Sequence, residues 1–208
     1  MIIVIASAKG GSGKSTTSIH LATYLSHRRG VGRVMLHDAD RNQTSANWFQ
    51  RGVENPKLPQ QKFQLAPLHA DLDPETYDHL VIDSGADPDS DELLELMEVA
   101  DLLIIPTAPT ILDLETAIAT ADGLEVPADR YTLLLTLVPP GTSNQGATAL
   151  DALRSNHLQV CRHWICRRSI VAQAAVSGAT VNQLRTQPAK QAWSEHQKAF
   201  QTLLRGRL

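Results

Sequence analysis

Eleven residues near the start, SAKGGSGKSTT at positions 7–17, constrain this chain more than any other stretch. An apolar run, Ile2–Ala6, leads into them, and a helical pattern, Lys14–Arg28, leads out. Within them AKGGSGKS, residues 8–15, fits the phosphate-loop pattern G-x-x-x-x-G-K-[ST], with Ala8 in place of the first glycine. A strand before the loop and a helix after it are the context in which such a pattern forms a site. Gly10, Gly11 and Gly13 can take backbone torsions that turn successive N–H groups inward around a phosphate. The helix start adds the positive end of its dipole. In this pattern Lys14 reaches the β- and γ-oxygens of a nucleotide and Ser15 offers its hydroxyl to Mg²⁺.

Further apolar runs of strand length follow at Val34–His37, Leu80–Ile82, Leu102–Pro106, Leu133–Leu137 and about Leu158–Ile165. They are near-continuous Val/Ile/Leu runs, as strands covered on both faces require. Helical patterns fall between them, at about Ser45–Arg51, Ser90–Val99, Leu112–Gly123, Ala147–Asn156 and Ala189–Leu204. In the last, Ala192, Trp193, His196, Phe200, Leu203 and Leu204 share a stripe, and Pro188 suits an early helical position. Alternation of this kind predicts a doubly wound α/β fold, a mostly parallel sheet with helices on both faces. The length suits one domain spanning residues 1–208. Pro56–Pro67 and Pro139–Gly146 read as loops.

Composition narrows the function. No run is long enough to span a bilayer, and the N-terminal apolar run lacks a basic flank, so the expectation is a cytoplasmic protein. Cys161 and Cys166 are the only cysteines, which makes a weak metal signal and favours free thiols. Charge is unevenly spread: residues 1–150 carry 10 Lys and Arg against 20 Asp and Glu, residues 151–208 carry 9 against 2. A basic last quarter on an acidic body suggests a polyanionic partner, unless these charges are merely scattered and solvated.

Two lysines five residues apart on one loop should repel, and a phosphate loop acting alone needs only Lys14. The arrangement K-G-G-x-G-K-[ST]-T, here Lys9 to Thr16, closely resembles the deviant Walker A box of the ParA/MinD family of ATPases. That resemblance implies that Lys9, Gly10, Gly11, Ser12, Gly13, Lys14, Ser15 and Thr16 bind ATP. It also implies a homodimer in which Lys9 crosses to the partner's triphosphate, where a cation stabilises transition-state charge as an arginine finger does.

Two carboxylate clusters follow predicted strands, where ligands of open α/β sheets sit. Asp38 and Asp40 in HDADRN match the aspartates of the family's D-x-D-P-Q box, with Arg41 and Asn42 departing from it. By resemblance Asp40 positions the attacking water and Asp38 supports Mg²⁺; a plain strand-end Asx turn is the other reading. Leu80–Asp83 has the Walker B form, an apolar strand ending in a carboxylate for Mg²⁺, and Ser84-Gly85 would begin switch II. Asp87, Asp89, Asp91 and Glu92 read as helix-capping acids. The resemblance continues through ADLLIIPTAPTILDLETA, residues 100–117, and RRSIVAQAAVSGATVNQL, residues 167–184. Thr136 stands where the family often has Asn, and Pro139–Gly141 are candidates to line the base.

A ParA-type protein binds nucleoid DNA without sequence preference and is released when a ParB-like or adaptor partner stimulates hydrolysis. Plasmid or chromosome segregation is the leading expectation, positioning of an organelle such as the carboxysome the second. Arg162, Arg167 and Arg168 are the candidate DNA contacts. The loop begins at about residue 8, so no helix-turn-helix for operator binding is expected ahead of it. Three rivals use related loops. A MinD-like membrane tail would use Lys198–Arg205; an iron–sulfur reductase would need cysteines that residues 1–160 lack; a metabolic ligase would need a substrate pocket near the γ-phosphate.

Overall fold

The computed structural model describes residues 1–66, 68–85, 90–124, 126–141 and 144–208, with the backbone alone for 90–92. Six parallel strands form the sheet: β1 (Ile2–Ile5), β2 (Val34–Asp38), β3 (Gln64–Ala66), β4 (His79–Asp83), β5 (Leu102–Thr107) and β6 (Tyr131–Leu135). Their order across the sheet is β3-β2-β4-β1-β5-β6. Helices α1 (Lys14–Ser26), α2 (Thr44–Glu54), α3 (Ser90–Val99), α4 (Ile111–Asp122), α5 (Gln145–Ser155), α6 (Ser169–Ser177) and α7 (Gln187–Leu203) connect and cover it. The expected doubly wound α/β architecture is therefore present.

Strand residues alternate between two cores, as period-two side chains must. Val4, Leu103, Ile105, Leu133 and Leu135 face a core closed by α3, α4 and α5 through Met97, Ala117, Ala121 and Leu150. Ile3, Ile5, Leu102, Ile104 and Leu134 face the other, closed by α1 and α7 through Leu21, Leu25 and Phe200. On that second face the imidazoles of His20 and His196 stack at 4.4 Å between ring centroids, both fully buried. His20 Nδ1 donates to Thr16 O and its Nε2 accepts from Val181 N. Burial holds both rings neutral, His196 down to about 4 and His20 well below its ordinary value.

Three segments differ from the sequence reading. The Leu158–Ile165 run makes no strand: it touches β6 at a single bridge, Leu133 with Val160, and a second bridge, Val138 with Cys166, falls just past both. Arg162 and His163 interrupt its apolar pattern, and the chain bends outward there before returning at Ile165. Inside the supposed Pro56–Pro67 loop, Gln64–Ala66 adds β3 as an edge strand on β2. Residues 169–177, quoted only as a family block, form α6. It ends at Gly178, whose φ of +77° closes the helix and where a Cβ would lie 2.1 Å from Gly52 N of α2. Glycine is thus required there for both torsion and space. The capping acids Asp87 and Asp89, and the side chains of Asp91 and Glu92, lie outside the described residues.

Candidate functional site

Strands β1, β2 and β4 are neighbours, so their carboxyl ends bring the glycine loop, Asp38 and Asp83 together. Gly11 and Gly13 take φ of +78° and +92°, while Gly10 needs no positive φ. Gly13 precedes α1, which has neither a side-chain cap nor an acidic residue in its first turn. Its free N–H groups and dipole are left for an anion. Lys14 is buried, and its Nζ donates to Ser7 O (3.4 Å) and Lys9 O (3.2 Å), inside the loop it would share with a phosphate.

Lys9 points the other way. Its side chain is 43% exposed and forms an ion pair with Asp113, in the first turn of α4. The two lysines thus do not compete, because one turns into the loop and the other out onto α4. Ser12 is buried with its hydroxyl unpartnered, and its carbonyl accepts from Thr136 Oγ1 at 2.6 Å. Thr136, the position where the resemblance departs from Asn, therefore braces the loop from the end of β6.

The carboxylates divide their work. Asp38 is fully buried, with Oδ1 accepting from Asp40 N (3.0 Å) and Oδ2 from Ala46 N (2.8 Å), which ties the start of α2 to β2. Asp40 Oδ1 accepts from both the backbone N and the Nδ2 of Asn42. Both aspartates make Asx turns, and Asp38 does so beside Asp83 at the carboxyl end of its strand. Asp83 is the outlier. Its Oδ1 accepts from Ser18 Oγ at 3.0 Å, and its Oδ2 is buried without a partner among the described residues. Burial, opposed by the nearby hydroxyls of Ser15, Ser45 and Ser18 and aided by the Asp38 charge, pushes its carboxyl up to about 7.

An orphaned carboxylate oxygen of raised affinity for positive charge, with the Ser15 hydroxyl beside it, fits a divalent cation. Among the described residues no cluster of three His, Cys, Asp or Glu forms a ligand set. Phosphate oxygens and water would have to complete the shell, as in kinase and ATPase sites. Sequence reasoning missed Ser18 and Ser45. Ser18 lies one helical turn after Lys14, a spacing that could have flagged it; the Ser45 approach depends on the β2–α2 turn and left no signal.

Beside the loop lies a cavity of about 350 Å³, lined by Gly13, Thr16 and Thr17, by Thr136 and Leu137, and by residues 165–169. Val171, Ala172 and Ala175 of α6, Trp48 and His196 complete it, so it is mostly apolar, as a flat aromatic base requires. Pro139–Gly141, the sequence candidates to line a base, are not among the residues that line this cavity.

The candidate DNA arginines separate. Arg162 and Arg167 are exposed. Arg168 is not: its Nε and Nη2 engage Glu195 of α7, whose Oε2 also accepts from Cys166 N at 3.1 Å. It pins the 158–168 segment to α7. Arg162 has company, since burial first and then the charges of Arg162 and Lys198 depress the His163 imidazole. Of the nine Lys and Arg after residue 150, all but Arg168 are exposed. The apolar stripe of the last helix is occupied within the fold: Phe200 and Leu204 are buried against the sheet. Among the described residues no helix is long and apolar enough to cross a membrane.

Strand, glycine loop and helix, with Lys14 inward and a cation-seeking carboxylate on the adjacent strand, define a P-loop nucleotide-binding protein. The chain belongs to the CobQ/CobB/MinD/ParA nucleotide-binding family, whose domain profile matches residues 3–181. It is 28% identical to Maintenance of carboxysome distribution protein A of Gloeobacter kilaueensis, over 97% of this chain and 93% of that one. It is 25% identical to Protein ParA of Rhizobium radiobacter, over 96% and 93%. In fold it resembles a Cyanothece McdA variant solved as an ATP complex, with a TM-score of 0.72 at 16% identity, covering 98% of this chain and 95% of that chain.

Proposed function

We propose that this chain is a ParA-type, Mg²⁺-dependent ATPase that dimerises on ATP, binds DNA without sequence preference and positions cargo as a partner stimulates hydrolysis. The observation that carries this reading is the opposed pair of lysines: Lys14 faces into the loop, while Lys9 stands at the surface where a second subunit could receive it. In the proposed site the N–H groups of Gly11 to Ser15 hold the β-phosphate, and Lys14 bridges to the γ-phosphate. Ser15, with Asp83 and Asp38 behind it, would hold Mg²⁺, which would supply positive charge to offset that of the triphosphate.

Asp40, fixed through one oxygen by Asn42, orients the attacking water. Lys9 of the neighbouring subunit stabilises the charge that develops on the transferred phosphoryl group. The apolar cavity beside Thr136 takes the adenine. Residues 1–208 act as one ATPase domain, in the cytoplasm and on the nucleoid.

Arg162 with Lys198, and Arg167 nearby in sequence, are the proposed phosphate contacts; Arg168 is held by Glu195. Dimerisation would double the contacts and make binding steeply salt-dependent. Plasmid or chromosome segregation, with a ParB-like partner, is the first reading of the cargo. The carboxysome distribution relatives favour a second, positioning of a protein organelle through an adaptor. Asp40→Ala tests the core of this reading: it should still bind ATP, dimerise and hold DNA, with hydrolysis slowed at least about tenfold. A monomeric Asp40→Ala protein in saturating ATP would refute it. Imaging a fluorescent fusion against labelled plasmid or origin loci and against carboxysome shells separates the two cargoes.

A further inference from the structure

The cavity beside the glycine loop is walled in part by a side chain that phosphate chemistry does not use. His196 of α7 is fully buried and belongs to that wall. Its Nδ1 donates to Ala192 O at 2.8 Å, one turn back in the same helix. A carbonyl only accepts, so the ring proton sits on Nδ1. Burial holds the ring neutral, which leaves Nε2 a bare acceptor on the edge away from its own helix. Nε2 has no partner among the described residues. A buried acceptor without a donor is costly, and a ligand that brings the donor removes the penalty.

The neighbours of this ring fix it and do not satisfy it. His20 stacks on it at 4.4 Å and is itself tied at both nitrogens, Nδ1 to Thr16 O and Nε2 to Val181 N. His20 follows Thr16 by one turn of α1, so the stack lies a turn further from the glycine loop. Other polar groups of the wall are turned elsewhere: Trp48 Nε1 to Ala179 O, Thr136 Oγ1 to Ser12 O, and the Arg168 guanidinium to Glu195. No Asp or Glu is among the described residues that line the cavity.

We infer that His196 reads the base: its bare Nε2 accepts a hydrogen bond from the exocyclic amine of adenine, and this contact sets a preference for adenine over guanine nucleotides. The inference rests on the reading that this cavity takes the base of the bound nucleotide. Guanine carries a carbonyl oxygen where adenine carries that amine, so two acceptors would face each other. The N–H groups of guanine would in turn call for a carboxylate, which the described wall does not supply. A site built to bond an N–H of its ligand rejects the analogue lacking it, because its own buried group is left unpaired.

Calorimetric dissociation constants for ADP, purine riboside diphosphate and GDP, each with Mg²⁺, test the contact without turnover. The purine analogue differs from ADP only in lacking the amine. Wild type should bind it about tenfold more weakly than ADP, and GDP more weakly still. His196→Phe fills the space of the ring without an acceptor. It should bind ADP and the purine analogue alike, both near the wild-type affinity for the analogue. Nitrogen NMR on histidine-labelled wild type needs no variant: the His196 Nε2 signal should move toward that of a hydrogen-bonded nitrogen with ADP and not with the analogue. Equal wild-type affinity for ADP and the analogue, a preference for ADP that survives in His196→Phe, or an Nε2 signal that ADP leaves in place would overturn the inference. If Lys14→Ala binds ADP as tightly as wild type, the nucleotide site fails and this inference with it. If Lys14→Ala loses ADP while wild type binds ADP and the analogue equally, the loop reading stands and only the base contact fails.

Discussion

The two ends of this molecule are built on different principles. The nucleotide end is local: β1, loop and α1 run continuously from Ile2 to Ser26, and Asp38 and Asp83 stand on neighbouring strands at matched register. The last quarter is held by long-range contacts. Arg168 joins Glu195 across 27 residues, Trp48 Nε1 donates to Ala179 O across 131, and His20 meets Val181 across 161. A chemical site can thus be specified by a short motif, while the surface around it depends on the whole fold. Substitutions at the two ends should accordingly fail in different ways.

The largest expected difference is functional. Lys14→Ala removes the inward cation and should weaken ATP binding by about 100-fold or more, by calorimetry, with DNA binding lost as a consequence. Arg162→Glu should abolish DNA retention in gel shifts while leaving ATP affinity and basal turnover at wild-type values. If Arg162→Glu also lost ATP binding, the two ends would not be separable and the basic segment would be part of the nucleotide site. A stability contrast comes next. Arg168 and Glu195 are 16% and 19% exposed, and Arg168→Ala should cost ~2 kcal/mol in urea denaturation by leaving Glu195 without its partner. Arg33 and Asp78, paired on the surface at 57% and 48% exposure, should give no measurable change when Arg33 is replaced by Ala. Equal losses would remove the distinction between a pinned segment and a decorated surface.

This contrast also explains what the sequence disclosed. Lys9 to Thr16, Asp38, Asp40 and Asp83 were legible because a loop flanked by a strand and a helix, and carboxylates at strand ends, are signals carried by neighbours in the chain. The alternation of apolar runs gave the doubly wound sheet for the same reason. Asp113 as the partner of Lys9, Ser45 beside Asp83 and Glu195 against Arg168 have no such local signal, since each pair meets only after the sheet has formed. The supposed strand at Leu158–Ile165 misled because composition resembled a strand while the charged pair Arg162-His163 broke it. Arg168 misled as a DNA contact because charge is visible in sequence and its partner is not.

Proton linkage sharpens the comparison in one measurement. At the nucleotide end, Asp83 is raised to about 7, so without metal its contribution to stability is present below pH ~4 and lost as pH rises to about 7. At the α1–α7 seam His196 is lowered to about 4, so its contribution is present above pH ~6.5 and lost as pH falls toward 4; His20 pulls the same way. The two ends oppose each other between pH 4 and 6.5. Asp83→Asn removes one side, and metal-free stability should then climb with pH more steeply than in wild type, by ~1.4 kcal/mol per pH unit. Denaturation series at several pH values measure it, and an unchanged slope would show that Asp83 is ionised throughout. The same proton should compete with Mg²⁺ in the nucleotide complex, whose affinity in wild type should rise up to about tenfold per pH unit until pH approaches 7.

The smallest effect is expected where the two ends touch. Thr136 belongs to the end of β6, one residue past the strand, yet its hydroxyl donates to Ser12 O inside the loop, at 2.6 Å. Its side chain also lies 3.6 Å from where a Cβ on Gly13 would sit, so it is the floor under the tightest part of the loop. Thr136→Val keeps the shape and deletes the donor, leaving a carbonyl with one fewer partner at a cost of ~1 kcal/mol. Because the carbonyl is in the loop, that cost should emerge as about fivefold weaker ATP binding as much as lower stability. Thr136→Ser restores the donor and should restore affinity. Loss of affinity in the serine variant would mean that the threonine methyl, against the apolar cavity, holds the base and that the hydrogen bond to the loop is incidental.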